Sequence, residues 1–128
     1  MAQGDDRYLS LMTRRVFHAG MTHAVVDARW PAFEAALWGF DPRKLVLLSA
    51  EQIERLASDP RLIRHLTKMR TLPQNAQFVL EIGQAHGSFG QFLARWPGAD
   101  IIGLWRLLAQ RGALLGGNSA ASFLRMAG

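Results

Sequence analysis

Residues 49–76, SAEQIERLASDPRLIRHLTKMRTLPQNA, carry the pattern that decides the fold: a short helix, a tight turn and a second helix. Ser49 and Gln52 have the spacing of a capping box, in which each side chain accepts the backbone N–H of the other residue. The first helix should end before Pro60, because a proline disfavours the helical conformation in the residue that precedes it. We predict that the second helix starts near Leu62.

Cationic and titratable side chains crowd the chain after this turn, namely Arg61, Arg64, His65, Lys68 and Arg70. A helix that starts here would direct its free N–H groups and the positive end of its dipole outward beside these side chains, which favours phosphate binding. We therefore predict a phosphate-binding hairpin at about residues 50–72. An ordinary helical hairpin with a solvated basic face remains the alternative.

The overall composition favours a single soluble domain. The chain of 128 residues is long enough to bury a core, and its 49% hydrophobic and 20% charged residues are ordinary for a globular protein. The 15 Lys and Arg residues exceed the 10 Asp and Glu residues, which gives a net charge of +5. This excess raises the expectation of a polyanionic partner, although many basic proteins bind none.

Cysteine is absent from the sequence, which excludes disulfides, a thiolate nucleophile and a cysteine zinc site. The four histidines, His18, His23, His65 and His86, do not have a metal-binding spacing such as HExxH. We therefore expect neither a metal nor another cofactor. Because we find no signal peptide and no apolar run that could cross a bilayer, we expect a cytoplasmic protein with no membrane partner.

Capping signals predict the first helices of the chain. Residues 1–4 are typical of a disordered leader, and Asp5 or Asp6 can cap the helix that follows. Thr22 can cap a second helix, which should end or bend at Pro31. A separate helix, PAFEAALW, should then start at that proline.

The rest of the chain also favours helices. Further capping signals occur at Asp41-Pro42, Ser88 with Gln91, Asp100 and Asn118-Ser119, the last of which should start a final helix over residues 119–127. Pro73 should kink the second hairpin helix or divide it in two. Because no apolar residues alternate with period two over a useful length, we predict an all-α fold of about eight short helices in one domain, residues 1–128.

Several short motifs, in this order and spacing, resemble the DNA-3-methyladenine glycosylase I family of the helix-hairpin-helix glycosylase superfamily. They are Ala19-Gly20 within HAGMTH, Phe40-Asp41-Pro42, Ile63-Arg64-His65 with Lys68, Asn75-Ala76, and Arg111-Gly112 followed by Gly117. The resemblance implies a compact multi-helix domain with a DNA-facing cleft between two helical halves. It also implies that a damaged base is flipped out of duplex DNA and its N-glycosidic bond hydrolysed.

The chain departs from the pattern of this family at several positions. The family carries a zinc site built from Cys and His at both chain ends, whereas this chain has no Cys and is shorter at each end, so we expect no zinc. Thr67 stands at a position that is usually glycine. The base-stacking Trp of the family corresponds to His23, and its base-recognising Glu corresponds to Arg15. An Arg would repel a cationic alkylated purine that a carboxylate attracts.

The base pocket implied by the resemblance consists of His18, His23, Arg15 and Asp27. An imidazole can stack on a base or donate a hydrogen bond to it. Asp27 follows His23 by four residues on the same helical face and could orient that ring. The alternative is a helix-capping His beside a half-exposed His–Asp pair. The phosphate contacts would come from Arg61, Arg64, His65 and Lys68.

No residue can be assigned as the catalyst. Trp30 and Trp38 are expected in the core rather than as stacking platforms. The other acidic side chains considered for acid–base chemistry, Glu34, Glu51, Glu54 and Glu81, are expected on solvated helix faces. An alkylated purine is already a cationic leaving group, so base flipping and positioning of a water molecule could suffice.

These observations support three hypotheses of different classes. The first is a DNA repair glycosylase-like monomer that binds duplex DNA and excises or probes alkylated purines such as 3-methyladenine. The second is a non-catalytic DNA-binding module of the same fold, since the chain is short and its pocket residues are changed. The third is a helical interaction protein without a DNA role, in which the arginines only solvate the surface.

Overall fold

The computed structural model describes residues 4–97 and 100–111. Over these residues the chain forms eight α-helices, one 3-10 turn and no strand. They are α1 (Asp5–His18), α2 (His23–Ala36), the 3-10 turn (Trp38–Phe40), α3 (Pro42–Leu45), α4 (Ala50–Ser58), α5 (Leu66–Met69), α6 (Thr71–His86), α7 (Phe89–Arg95) and α8 (Ile101–Arg111). The prediction of an all-α fold is confirmed. None of these helices is long and apolar enough to traverse a bilayer.

Helix α6 forms the centre of the core, because it packs against α1, α3, α5 and α7. The apolar stripe of α1 faces it and is fully shielded from solvent at Leu9, Met12 and Val16. An aromatic cluster lies beside this stripe and consists of Phe17, Trp30, Phe33 and Phe40. Burial of each such ring contributes roughly 1.5–3 kcal/mol, so the cluster fixes α2 and the 3-10 turn against α1.

The 3-10 turn contradicts one core prediction. Trp30 is buried as expected, whereas Trp38 is 48% exposed. Three successive residues, Trp38, Gly39 and Phe40, have left-handed φ angles of 53°, 65° and 61°. This reversal places Phe40 in the core, where its ring stacks on Trp30 at 5.4 Å, and leaves Trp38 outside.

Several predicted caps are confirmed by hydrogen bonds between residues two or three positions apart. Ser49 and Gln52 make both bonds of the capping box at the start of α4. The carboxylate of Asp41 accepts the N–H of Arg43, and the Ser88 hydroxyl accepts the N–H of Gln91. Asp100 similarly accepts the N–H of Gly103 at the start of α8.

The cap predicted for the first helix is wrong. Gly4 occupies the N-cap position of α1, and Asp5 and Asp6 lie inside its first turn. The carboxylate of Asp5 instead accepts the N–H of Phe89 at 3.0 Å, so it caps α7. Thr22 does occupy the N-cap position of α2, but its side chain makes no capping hydrogen bond.

Helix α2 continues through Pro31, contrary to the prediction that a separate helix starts there. A proline inside a helix removes one backbone hydrogen bond, here to the carbonyl of Asp27. Pro31 lies on the exposed face, whereas Val26, Trp30 and Phe33 line one buried face on both sides of it. Burial of this face outweighs the missing bond.

The second hairpin helix starts later than predicted. Residues 59–65 form a non-helical turn, called here the hairpin turn, and α5 begins at Leu66 rather than near Leu62. Leu62 and Ile63 are 2% and 8% exposed, so this turn contributes to the core instead of a solvent-facing helix start. The chain divides again at Arg70, as expected near Pro73, which has no N–H to donate to the preceding turn.

Two predictions fall on parts of the chain outside the described residues. They are the leader over residues 1–3 and the final helix over residues 119–127. Gly4, which was included in the predicted leader, is described, and its carbonyl accepts the N–H groups of Arg7 and Tyr8.

Candidate nucleic-acid interface and base pocket

The turn between α1 and α2, residues 18–23, is called here the base-pocket turn. Gly20 in its centre has a φ of 73°, a left-handed conformation that glycine adopts without strain. His18 ends α1 and His23 starts α2, and their imidazole rings stack with centroids 4.0 Å apart. The structure therefore brings these two predicted pocket residues together, with His18 buried and His23 exposed.

Asp27 contacts His18 rather than His23, which corrects the prediction that it orients the His23 ring. The Asp27 Oδ1 atom lies 2.8 Å from His18 Nε2 and accepts a second hydrogen bond from Arg14 Nε at 2.9 Å. Arg14 was not predicted as a pocket residue. It precedes His18 by four residues, so the helical spacing that pairs neighbouring side chains on α1 could have indicated it.

The surroundings of His18 favour its neutral form. Its carboxylate partner accepts a hydrogen bond from Nε2, so the proton lies on that nitrogen, and Nδ1 is buried with no hydrogen-bond partner among the described residues. Burial lowers the pKa of His18, which outweighs the opposite effect of Asp27. The hydrogen bond from His18 in turn lowers the pKa of the Asp27 carboxyl. The buried imidazole of His18, held by Asp27, thus lies behind the exposed ring of His23.

Arg15 lies in the last turn of α1, three residues before His18, and is half-buried. Its positive charge is close enough to contribute to the lowered pKa of His18. The four predicted pocket residues therefore converge at the junction of α1 and α2, and they bring one carboxylate and one guanidinium group to it.

The hairpin turn presents two exposed arginines. Arg61 is paired with Asp59, whose carboxylate accepts its guanidinium at 2.8 Å and its backbone N–H at 2.9 Å. This pairing lowers the pKa of the Asp59 carboxyl and partly neutralises Arg61. Arg64 is exposed and makes no ion pair with any described residue. Arg64 is therefore the better placed of the two to receive a phosphate.

His65 and Lys68 both make hydrogen bonds within the protein. The Nδ1 atom of His65 accepts the backbone N–H of Lys68 and caps α5, which leaves only the other ring nitrogen for a ligand. Lys68 is 7% exposed, and its ammonium group donates to the carbonyls of Phe17 and Ala19. Burial lowers the pKa of Lys68. This burial argues against the predicted phosphate contact of Lys68, because its ammonium group bonds to carbonyls at the end of α1.

A groove of about 350 Å³ separates the base-pocket turn from the hairpin turn. Its lining combines apolar side chains with two guanidinium groups and consists of Met21, Val25, Arg29, Pro60, Leu62, Ile63 and Arg64. Sequence reasoning missed Arg29, because nothing near it in the chain indicates that it meets the hairpin. Within residues 4–97 and 100–111, no three His, Asp or Glu side chains converge as metal ligands.

The methyladenine glycosylase family model matches residues 1–111 of the chain. This protein belongs to the methyladenine glycosylase family. It is similar to DNA-3-methyladenine glycosylase 1 of Escherichia coli strain K12, with 31% identity over 75 residues. That match covers 59% of this chain and 40% of the length of the Escherichia coli protein.

Solved structures of the methyladenine glycosylase family have the same fold. The 3-methyladenine DNA glycosylase I of Staphylococcus aureus aligns with a TM-score of 0.84 at 28% identity, over 98% of this chain and 77% of that one. A variant 3-methyladenine DNA glycosylase I in complex with 3-methyladenine aligns with a TM-score of 0.85 at 27% identity. The alignment covers 99% of this chain and 80% of the variant. The family and fold predicted from the sequence are confirmed.

Proposed function

We propose that this member of the methyladenine glycosylase family binds duplex DNA and hydrolyses the N-glycosidic bond of an alkylated purine. The observation that carries the proposal is the fold shared with a 3-methyladenine DNA glycosylase I whose structure contains 3-methyladenine. The proposal treats residues 1–128 as one domain that acts as a monomer. Its DNA-binding hairpin covers about residues 50–72.

The geometry supports separate roles for the two turns. Phosphate contacts position a protein on the duplex, and base contacts discriminate among bases. Arg64, with Arg61 beside it, supplies exposed positive charge at the hairpin turn and would contact the DNA backbone. The outer face of the His23 ring is available for stacking on a flipped base. We assign His65 a weaker contribution to phosphate binding, through its second ring nitrogen.

The charges around His18 and His23 are mixed, because the Asp27 carboxylate lies beside the guanidinium group of Arg14 and the positive charge of Arg15 also acts there. The Asp27 carboxylate offers a negative charge at the pocket, although Arg14 and His18 both bond to its Oδ1 atom. During hydrolysis the bond between C1′ and the base nitrogen breaks with its electron pair on the base, and a water oxygen bonds to C1′ and releases a proton. Because the alkylated base already carries a positive charge, this departure needs little acid catalysis from the protein.

Release of free base from alkylated duplex DNA tests the enzyme proposal. Folded protein in excess over a duplex treated with a methylating agent should release 3-methyladenine, detected by chromatography and mass spectrometry. The same duplex in buffer alone and an untreated duplex with protein are the controls. Release no faster than in buffer would overturn the proposed activity.

The second candidate is a non-catalytic DNA-binding module, favoured by the substitution pattern of the pocket. The resemblance to the family implies that Arg15 replaces a base-recognising Glu and that His23 replaces a base-stacking Trp. Such a module would bind a duplex that contains an abasic-site analogue in preference to an undamaged duplex, yet release no base. Base release in the assay above would exclude this candidate.

A further inference from the structure

A buried lysine connects the hairpin to the base-pocket turn. The Lys68 ammonium donates hydrogen bonds to the carbonyls of Phe17, at 3.2 Å, and of Ala19, and lies 5.9 Å from the centre of the Phe17 ring. These carbonyls belong to the C-terminal end of α1, where backbone acceptors lack helical partners and the helix dipole is negative. Lys68 therefore caps the helix that ends in His18.

A second cation makes the reciprocal connection. Arg29, which α2 supplies, donates from Nη1 to the carbonyl of Pro60 at 2.9 Å and to that of Leu62 at 3.1 Å. Those carbonyls lie in the hairpin turn, which has no helical hydrogen bonds of its own to satisfy them. Each half of the interface thus supplies a cation that binds backbone carbonyls of the other half.

We propose that Lys68 and Arg29 are positioning residues that hold the hairpin turn and the base-pocket turn as one rigid unit. Phosphate binding at Arg64 would then fix where a flipped base meets His23. This inference rests on the proposed function for its consequence on DNA. Its structural part, the coupling of the two turns, can be measured without DNA.

A small displacement of the two turns relative to each other would be enough to slow the proposed reaction. A displacement of about 1 Å between a positioning contact and the reacting atoms can reduce a rate on the order of 100-fold. Apart from the guanidinium groups of Arg29 and Arg64, the groove between the two turns is lined by apolar side chains, whose contacts are not directional, whereas hydrogen bonds from a cation to a carbonyl are directional. Loss of the hydrogen bonds of Lys68 or of Arg29 should therefore loosen the relative position of the two turns without unfolding either turn.

The variant Lys68→Met removes the charge and retains a stem of similar length. The sequence contains one other lysine, Lys44, which is exposed on α3, so Lys44→Met is a matched control. We expect Lys68→Met to keep its affinity for undamaged duplex within about threefold with an unchanged salt slope. Its preference for a duplex with an abasic-site analogue should fall about tenfold or more, and single-turnover base release should fall in parallel.

Two outcomes of this binding experiment would overturn the inference. A decrease of the log–log salt slope by about one unit in Lys68→Met would mean that Lys68 neutralises a phosphate. An unchanged preference for the abasic-site duplex in a folded Lys68→Met protein would mean that the hydrogen bonds of Lys68 do not position the two turns.

A measurement without DNA separates failure of this inference from failure of the proposed function. Lys68→Met should shift the ring resonances of His18 in NMR spectra and speed hydrogen exchange of the amides in residues 18–23, whereas Lys44→Met should do neither. If the resonances and exchange rates are unchanged, the coupling is absent whatever the DNA assays show. If Lys68→Met does not fold, the same spectra of Arg29→Gln test the hydrogen bonds from Arg29 to the carbonyls of Pro60 and Leu62. Unchanged His18 resonances in Arg29→Gln would then overturn the proposal.

Discussion

The imidazole rings of His18 and His23 stack face to face, with centroids 4.0 Å apart and planes inclined by 17°. One residue ends α1 and the other starts α2, so the stack depends on the sharp reversal of the chain at Gly20. One face of the His23 ring covers His18, and the residue as a whole remains exposed. Under the proposed function, a flipped base would stack on the face of the His23 ring that does not cover His18.

The variant His23→Ala should keep its affinity for undamaged duplex and lose preference for an alkylated base. Stacking of a base on an aromatic side chain contributes about 1–3 kcal/mol, which corresponds to a loss of preference of roughly 5- to 150-fold. Competition binding between alkylated and undamaged duplexes measures it. His86→Ala, a change of an exposed histidine at the end of α6, is the control. An equal loss of affinity for both duplexes would contradict a base contact.

The variant Arg64→Ala should weaken binding to every DNA sequence alike. Each neutralised phosphate releases condensed counterions, so the log–log slope of affinity against salt should decrease by about one unit. Stability should change by no more than about 0.5 kcal/mol, because Arg64 is exposed. Titrations at several salt concentrations give the slope, with Arg95→Ala on α7 as the control. An unchanged slope in the folded variant would remove the hairpin turn from the DNA interface.

The stability of the protein should decrease on mild acidification. Burial lowers the pKa of His18 below its ordinary value of about 6.5. At a pH between the lowered pKa and about 6.5, His18 therefore binds a proton in the unfolded chain but not in the folded chain. The free energy of unfolding should therefore be level above about pH 7. It should fall as the pH decreases from about 6.5 to the lowered pKa, by up to about 1.4 kcal/mol per pH unit.

Denaturant titrations at pH 7.5, 6.5 and 5.5 measure this dependence. The variant His18→Gln should flatten it, whereas His86→Gln should not. The lowered pKa of Asp27 acts in a separate, more acidic window, because its stabilising effect is lost only as the pH falls below about 3.9. A dependence that survives in His18→Gln would assign the titration to another group.

The variant Glu34→Ala should destabilise the fold by about 1–2 kcal/mol, because it leaves hydrogen-bond donors without their acceptor. Glu34 was expected on a solvated face, but its carboxylate binds the Arg7 guanidinium at 2.8 and 3.0 Å and the Ser10 hydroxyl at 2.7 Å. The Ser10 hydroxyl also accepts the indole N–H of Trp30. Urea denaturation should show the loss, and Glu54→Ala, at an exposed position of α4, should change stability by less than about 0.5 kcal/mol.

The variant Asp5→Ala should destabilise the protein by about 1 kcal/mol, the usual effect of removing an N-cap side chain. In the unchanged protein the Asp5 carboxylate caps α7, because it accepts the N–H of Phe89, 84 positions away in the chain. The exposed variant Glu51→Ala is the comparison, and thermal denaturation of both proteins measures the difference. Equal melting temperatures for the two variants would show that the bond between Asp5 and Phe89 contributes nothing.

The sequence by itself determined the helical class, the family and the caps whose partners lie within a few residues. The capping box of Ser49 and Gln52 and the Asp41 cap could be predicted because their hydrogen bonds span two or three positions. Backbone geometry at a helix start brings such residues together whatever the rest of the chain does.

Only the tertiary structure decided which side chains lie at the surface and which lie in the interior. Lys68 has the sequence context of a phosphate-binding cation, yet it bonds to a carbonyl 51 positions away, and Asp5 caps a helix near the other end of the described chain. Helix α2 passes through Pro31 because burial of Trp30 and its neighbours outweighs one lost backbone bond. Contacts between distant segments depend on how helices pack, and that information is absent from any short stretch of sequence.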